Sequence, residues 1–312
     1  MKKTDESVQQ VLKESYEKYK DITEGKNASY IPCLAKVDPK LTALTVVTVN
    51  GDIYSIGDDT YPFAIESISK VCTLALAMEQ VGVEKVRTKI GDSPTGLPFN
   101  SVMALELHKD KPLSPLVNAG AMSTVSILKA TSKQERWESI LKMQQRMMTS
   151  DVKLSDLVNH SEQTTNFHNR AIAWLLYSAK HMFCDPMEAC EVYTQQCSTL
   201  VTSKDLAILA ATLANGGQNP ISKEQVVHKT YIPHILAEMV MEGLYVDSGD
   251  FAYTAGLPGK SGVGGGLLAV VPNVLGIAAF APPLDAGGNS VKGLKMITHF
   301  VNTLGYSLYL KN

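Results

Sequence analysis

The run Glu66-Ser67-Ile68-Ser69-Lys70 brings a carboxylate, a hydroxyl and an amine together in the chain. Ser67 and Lys70 form a Ser-x-x-Lys tetrad that leads directly into an apolar, helix-favouring stretch with Val71, Leu74, Ala75 and Met78. Side chains three apart share a helix face, so the spacing predicts Lys70 one turn above Ser67. A serine hydroxyl is a weak nucleophile at its free pKa and needs a base beside it. A lysine in an apolar pocket loses affinity for its proton and can be that base. The chemistry implied is acyl transfer through a serine ester. Ser-x-x-Lys also occurs by chance on surface helices, so a second element has to support it.

That element is Lys260-Ser261-Gly262, followed by Val263-Gly264-Gly265-Gly266. A phosphate-loop reading fails, because the Walker pattern needs glycine where Thr254 stands, and a strand rather than a helix follows. The glycines also fail as a dinucleotide fingerprint, since no helix opens after them. The better reading is a Lys-Ser-Gly strand lining a cleft, because penicillin-recognising serine enzymes pair Ser-x-x-Lys with a downstream Lys-Thr-Gly. Glycines there let the backbone approach a substrate. The amides of Val263 and Ser67 would then form an oxyanion hole, at roughly 3 kcal/mol per donor.

The elements that must position these residues can be read from pattern. Val8, Val11, Leu12, Tyr16 and Tyr19 have helical spacing and predict an opening helix over 5–20. Leu41 to Val49 and Ile53 to Ile56 read as strands joined by an Asn50-Gly51-Asp52 turn, a strong hairpin signal. From Ser69 to about Leu213 the pattern is mainly helical, with segments at Val125 to Ala130, Arg170 to Ala179 and Ser203 to Leu213. Loops fall at 91–100 and 110–115, and Asn215-Gly216-Gly217 reads as a C-cap and turn. A helix near Pro233 to Gly243 follows. Gly266 to Val271 and Val274 to Ala281 read as antiparallel strands around Pro272-Asn273, and a last helix spans Val291 to Leu304.

Strands at both ends and helices between them imply an α/β fold with one antiparallel sheet built from both ends of the sequence. We expect a single domain, 1–312. Its α/β lobe would cover roughly 1–68 and 220–312 and its helical lobe 69–219, with the site in the cleft between them.

The composition narrows the function. The chain has 312 residues, 45% hydrophobic and 19% charged, which suits a folded protein with a large core. A net charge of -2 argues against nucleic acid or an anionic membrane as partner. No apolar run reaches the roughly 20 residues needed to span a bilayer. The start, Met1 to Glu6, carries lysines without an apolar stretch behind them, so no signal peptide is expected. Cys33, Cys72, Cys184, Cys190 and Cys197 include no Cys-x-x-Cys pair and read as reduced thiols. His181, Cys184, Cys190 and Cys197 match no zinc spacing, so no metal is expected.

An ordered set of segments then resembles a known family. It includes Tyr30-Ile31-Pro32, Ser67-Ile68-Ser69-Lys70, Val117-Asn118-Ala119-Gly120-Ala121, Ser161-Glu162, Asn169-Arg170, Tyr193 with Gln196-Cys197-Ser198, Gly243-Leu244-Tyr245 and Lys260 to Gly266. This set is similar to that of the serine-dependent glutaminases, which share the β-lactamase/transpeptidase-like fold. The resemblance implies that Ser67 attacks the side-chain amide of L-glutamine and Lys70 takes its proton. It implies that Tyr193, with Tyr245 nearby, relays protons to departing ammonia. Asn118, Glu162 and Asn169 would hold the amino-acid end, Val263 would donate its amide to the oxyanion, and Tyr30 would lie on a loop closing the pocket. Water would release glutamate from the glutamyl-enzyme. The resemblance further implies a cytoplasmic hydrolase without cofactor, assembled as a homotetramer or dimer.

The residue types suit these roles. A buried ammonium calls for one carboxylate, here Glu162. Neutral Asn and Tyr donors can hold a carboxylate. Two departures stand out: Glu66 where the family has glutamine, and His168 where it has arginine. A carboxylate at 66 would raise the Lys70 pKa and shift the pH optimum upward, so Glu66→Gln is expected to lower the alkaline limb of the pH–rate profile. Two other readings stay open at this point. One is a β-lactamase or transpeptidase, though no Ser-Asp-Asn element is found. The other is a non-catalytic ligand-binding relative.

Overall fold

A five-stranded antiparallel sheet organises the protein, which is described here over residues 5–310 by a computed structural model. Met1 to Thr4, part of the stretch read for an export signal, lies outside the described residues. The strands are β1 (Ala43–Thr48), β2 (Ile53–Gly57), β3 (Phe63–Ala64), β4 (Lys153–Leu154), β5 (Thr199–Val201), β6 (Gly259–Ser261), β7 (Gly266–Val271) and β8 (Leu275–Phe280). The main sheet runs β2-β1-β8-β7-β6, so its early hairpin pairs with strands some 200 positions later, Ala43 facing Phe280 and Thr48 facing Leu275. The expected hairpin turns at Gly51, whose φ of 106° lies where L side chains are strained.

Both faces of the sheet are covered. Helices Asp5–Tyr19 and Val291–Leu304 pack on one face, around Leu267, Ile277, Met296 and Phe300. Helix Ser203–Ala214 crosses the other face and joins it to the large helical core. Strands β7 and β8 are therefore buried at every position, and this is why they read as continuous apolar runs rather than alternating ones. Helix Ser203–Ala214 falls in the stretch expected to form the helical lobe, yet its principal contacts are to the sheet.

Two sequence expectations are corrected. The helix expected over Val125 to Ala130 is Asn118–Ile127, which begins about two turns earlier and puts Asn118 in its first turn. A second, three-stranded sheet, ordered β3-β5-β4, was not foreseen. Strands of two or three residues carry no measurable period, so pattern cannot announce them. This small sheet assembles the site. It ties the chain before Ser67 to the chain after Tyr193 through Ile65 N–H to Thr199 O at 2.9 Å. It ties the start of the helix bearing Glu162 to the same place through Ser155 N–H to Ser198 O, also 2.9 Å.

Candidate active site

Ser67 does not sit within the helix that carries Lys70. It lies in a short 3-10 turn, Glu66–Ile68, ahead of helix Ser69–Val81. Glu66 has φ of 53°, a left-handed conformation unusual for a side-chain-bearing residue. The turn is held by the glycine run. A Cβ on Gly264 would lie 2.3 Å from the Ala64 carbonyl oxygen and one on Gly262 2.8 Å from that of Ile65. The glycines thus let the loop after β6 lie against the chain that presents Ser67. The Val263 amide, at the tip of that loop, donates to no backbone carbonyl among the described residues.

Lys70 is almost completely buried. Its Nζ donates to Asn118 Oδ1 at 2.7 Å and to Tyr245 Oη at 3.3 Å. The Ser67 hydroxyl lies beside the Tyr245 phenol and acts to lower its pKa. Tyr245 therefore stands between serine and lysine, in place of the direct pair that the tetrad spacing suggested. It too has a left-handed backbone, φ 57°, in the 3-10 turn Tyr245–Asp247. Burial pushes its phenol pKa up, with Ser67 acting the other way. Burial likewise pushes Lys70 down to about 8 from its ordinary 10.5.

Asn118 is the hub of the polar network. Its Oδ1 accepts from Lys70 and from Tyr193 Oη at 2.9 Å, and its Nδ2 donates to Asn169 Oδ1 at 3.0 Å. Tyr193 thus approaches the amine through Asn118 rather than touching Ser67. Glu162 accepts from Ser198 Oγ at 3.1 Å and also meets the Glu66 carboxyl. Burial raises Glu162 to about 7, partly offset by Ser198 and Glu66. Glu66 is held well above the usual carboxylate range, first by burial and then by the charge of Glu162. One Glu66 oxygen, Oε1, is buried with no hydrogen-bond partner. Tyr30 is 58% exposed, and its hydroxyl pKa is raised by burial and by the charges of Glu66 and Glu162.

Glu66 acts to raise the Lys70 pKa, the direction expected from the sequence, but burial outweighs it and leaves the amine more readily neutral than a free lysine. Lys260 is also placed differently from a cleft-lining residue. It is fully buried, donates to the Gly243 and Ser261 carbonyls at 2.8 Å each, and lies 4.2 Å from the centre of the Tyr245 ring. His168, the other departure, binds the Asn100 carbonyl at 2.6 Å on the exposed side of its helix. Ser198 enters the sequence reading only within its motif, and its bond to Glu162 and the influence of Glu162 on Glu66 were not foreseen. The available signal was Glu66 itself, a carboxylate next to the nucleophile in an otherwise apolar stretch.

Lys70, Tyr245, Asn118, Tyr193 and Asn169 therefore form one hydrogen-bonded cluster next to Ser67. A sequence profile of the family described as Glutaminase matches residues 25–309. The chain belongs to the glutaminase family. It is 60% identical over 302 residues to Glutaminase 1 of Shigella flexneri, covering 97% of each chain. It is 59% identical over 304 residues to the glutaminase of Desulfovibrio desulfuricans, covering 97% of this chain and 98% of the other. Among solved structures, the one described as probable glutaminase ybaS superposes with a TM-score of 0.98 at 58% identity, covering 99% of this chain and 100% of that one. A probable glutaminase from Bacillus subtilis, complexed with 6-diazo-5-oxo-L-norleucine, gives a TM-score of 0.86 at 29% identity, with 99% of each chain covered. The fold is thus that of bacterial glutaminases, the β-lactamase/transpeptidase-like α/β class expected from the sequence.

Proposed function

We propose that the chain hydrolyses L-glutamine to L-glutamate and ammonia through a glutamyl-Ser67 ester. The observation that carries this reading is the buried Lys70 amine, hydrogen-bonded to Asn118 and to the Tyr245 phenol that lies beside Ser67. Ser67 Oγ attacks the side-chain carbonyl carbon while its proton passes through the Tyr245 hydroxyl to neutral Lys70. The oxyanion forms toward the Val263 and Ser67 amides. Protonated Lys70 returns the proton to the departing nitrogen through Tyr245, and ammonia leaves. Water then attacks the ester by the same proton route in reverse and frees Ser67.

The amino-acid end is held by Asn118, Glu162 and Asn169, with Tyr30 closing over it and Tyr193 fixing Asn118. The substrate ammonium lies against the Glu66 and Glu162 carboxyls, which relieves the cost of burying two acids together. The test is the release of ammonia and glutamate in equal amounts from L-glutamine by the purified protein, beside D-glutamine and nitrocefin. Turnover of nitrocefin but not of L-glutamine would overturn the substrate assignment.

Two further expectations belong to this reading. Glu66→Gln is expected to move the rising limb of the pH–rate profile slightly toward lower pH, because one negative charge that raises the Lys70 pKa disappears while its burial remains. A shift larger than about one pH unit would show that the Glu66 charge, not burial, sets the base. The chain also acts as a homo-oligomer in this reading, a dimer or tetramer. Support comes from the exposed apolar side chains Phe167, Trp174, Leu175 and Tyr177 of one helix. Five free thiols fit a reducing, cytoplasmic setting. Among the described residues no helix is long and apolar enough to cross a membrane.

A further inference from the structure

A cavity of about 270 Å³ lies apart from Ser67, between helices Ser69–Val81, Val83–Lys89 and Ile232–Glu242. At roughly 30 Å³ per water, it has room for a ligand equivalent to about nine waters. Its wall is apolar, built from Leu74, Met78, Val86, Pro115 and Met241. Into that wall is set one carboxylate, Glu238, only 5% exposed. Glu238 Oε2 accepts a single hydrogen bond, 2.9 Å from Ser114 Oγ. Among the described residues no lysine, arginine or histidine forms an ion pair with it.

A buried carboxylate without a cation is costly, and nothing in the proposed reaction uses this one. The rim is acidic as well. Glu84 and Asp92 line it, and the one guanidinium there, Arg87, is engaged with Asp92 at 2.6 Å and Glu84 at 3.8 Å. His234 also lines the rim, and Glu242 stands one helical turn from Glu238. Helix Ser69–Val81 contributes only apolar side chains to the cavity. An amino acid is a poor fit, because among the described residues lining the cavity no unpaired lysine or arginine is present to receive its carboxylate.

We propose that this cavity is a binding site for a small apolar ammonium ion, an alkyl or cycloalkyl monoamine, with Glu238 as its counter-ion. The occupant would touch both helices that frame the catalytic cluster. Leu74 and Met78 follow Lys70 at intervals of four on one helix face, and Glu238 precedes the buried Glu242 by four.

Burial raises Glu238 to about 8, with Ser114 opposing and the charges of Asp92 and Glu242 adding to the rise. An ammonium binds the ionised form, so below pH 8 its entry must expel a proton. Affinity should therefore rise about tenfold from pH 7 to pH 9, while an alkylamine of pKa near 10.4 stays charged. The experiment is calorimetric titration of the full chain with cyclohexylamine, beside cyclohexanol of equal shape. The expected result is binding of the amine that is tighter at pH 9, at least tenfold weaker in Glu238→Gln, and lost in Ala237→Trp, which fills the mouth from an exposed helix position. Cyclohexanol binding as well as the amine, an affinity unchanged by either substitution, or no binding of the amine at all would overturn the proposal.

Discussion

Ser67→Ala is expected to lower kcat for glutamine hydrolysis on the order of 10⁶-fold, with KM changed only a few-fold. The asymmetry follows from the geometry. The hydroxyl supplies the bond that forms in the transition state, whereas the groups proposed to hold the amino-acid end, Asn118, Glu162 and Asn169, are anchored independently of it. The substitution should leave the fold intact. Ser67 is 8% exposed and its side chain is small, so removing the hydroxyl should cost no more than about 1 kcal/mol. Ammonia release measured against time, with Tm recorded on the same samples, decides the matter. A variant that keeps more than about a thousandth of the activity would mean that water is activated directly and the ester is unnecessary.

The connected site was only partly legible in the sequence. Ser67 and Lys70 were visible because helix periodicity is local and their spacing survives the change from 3-10 turn to α-helix. Strand order was legible in outline because β7 and β8 are continuous apolar runs bounded by a Pro-Asn turn. Tyr245 was harder. Its place between Ser67 and Lys70 depends on a left-handed residue in a 3-10 turn 175 positions from Lys70, and no local pattern marks that. The same holds for the β3-β5-β4 sheet, whose pairings are set by tertiary packing. Glu66 shows the other kind of gap. Its identity was plain, and so was the sign of its effect on Lys70, but which effect wins depends on burial, which spacing does not measure.

Lys70→Met should separate the base from the rest of the machinery. General-base loss is worth about 10²–10⁴-fold, and the relay through Tyr245 leaves no second base in contact with Ser67, so kcat should fall toward the upper end of that range. The rising limb near pH 8 should flatten, since the group proposed to titrate there is gone. Lys70→Arg should be equally inactive, because arginine stays charged and cannot accept the proton. In Ser67→Ala the added loss of Lys70 should cost almost nothing, as the two act as a unit. Stability should move the opposite way. A lysine lowered from 10.5 to about 8 by burial makes the folded state hold its proton less tightly than the unfolded chain. That costs about 3 kcal/mol at pH 7, in full below pH 8, and fades as pH rises from 8 to 10.5. Methionine removes this cost while giving up hydrogen bonds to Asn118 and Tyr245, worth about 1 kcal/mol each. Its Tm should therefore exceed that of the parent at pH 7, with the gap closing by pH 10. An inactive Lys70→Met with a lowered Tm at both pH values would make Lys70 a structural cation instead of a strained base.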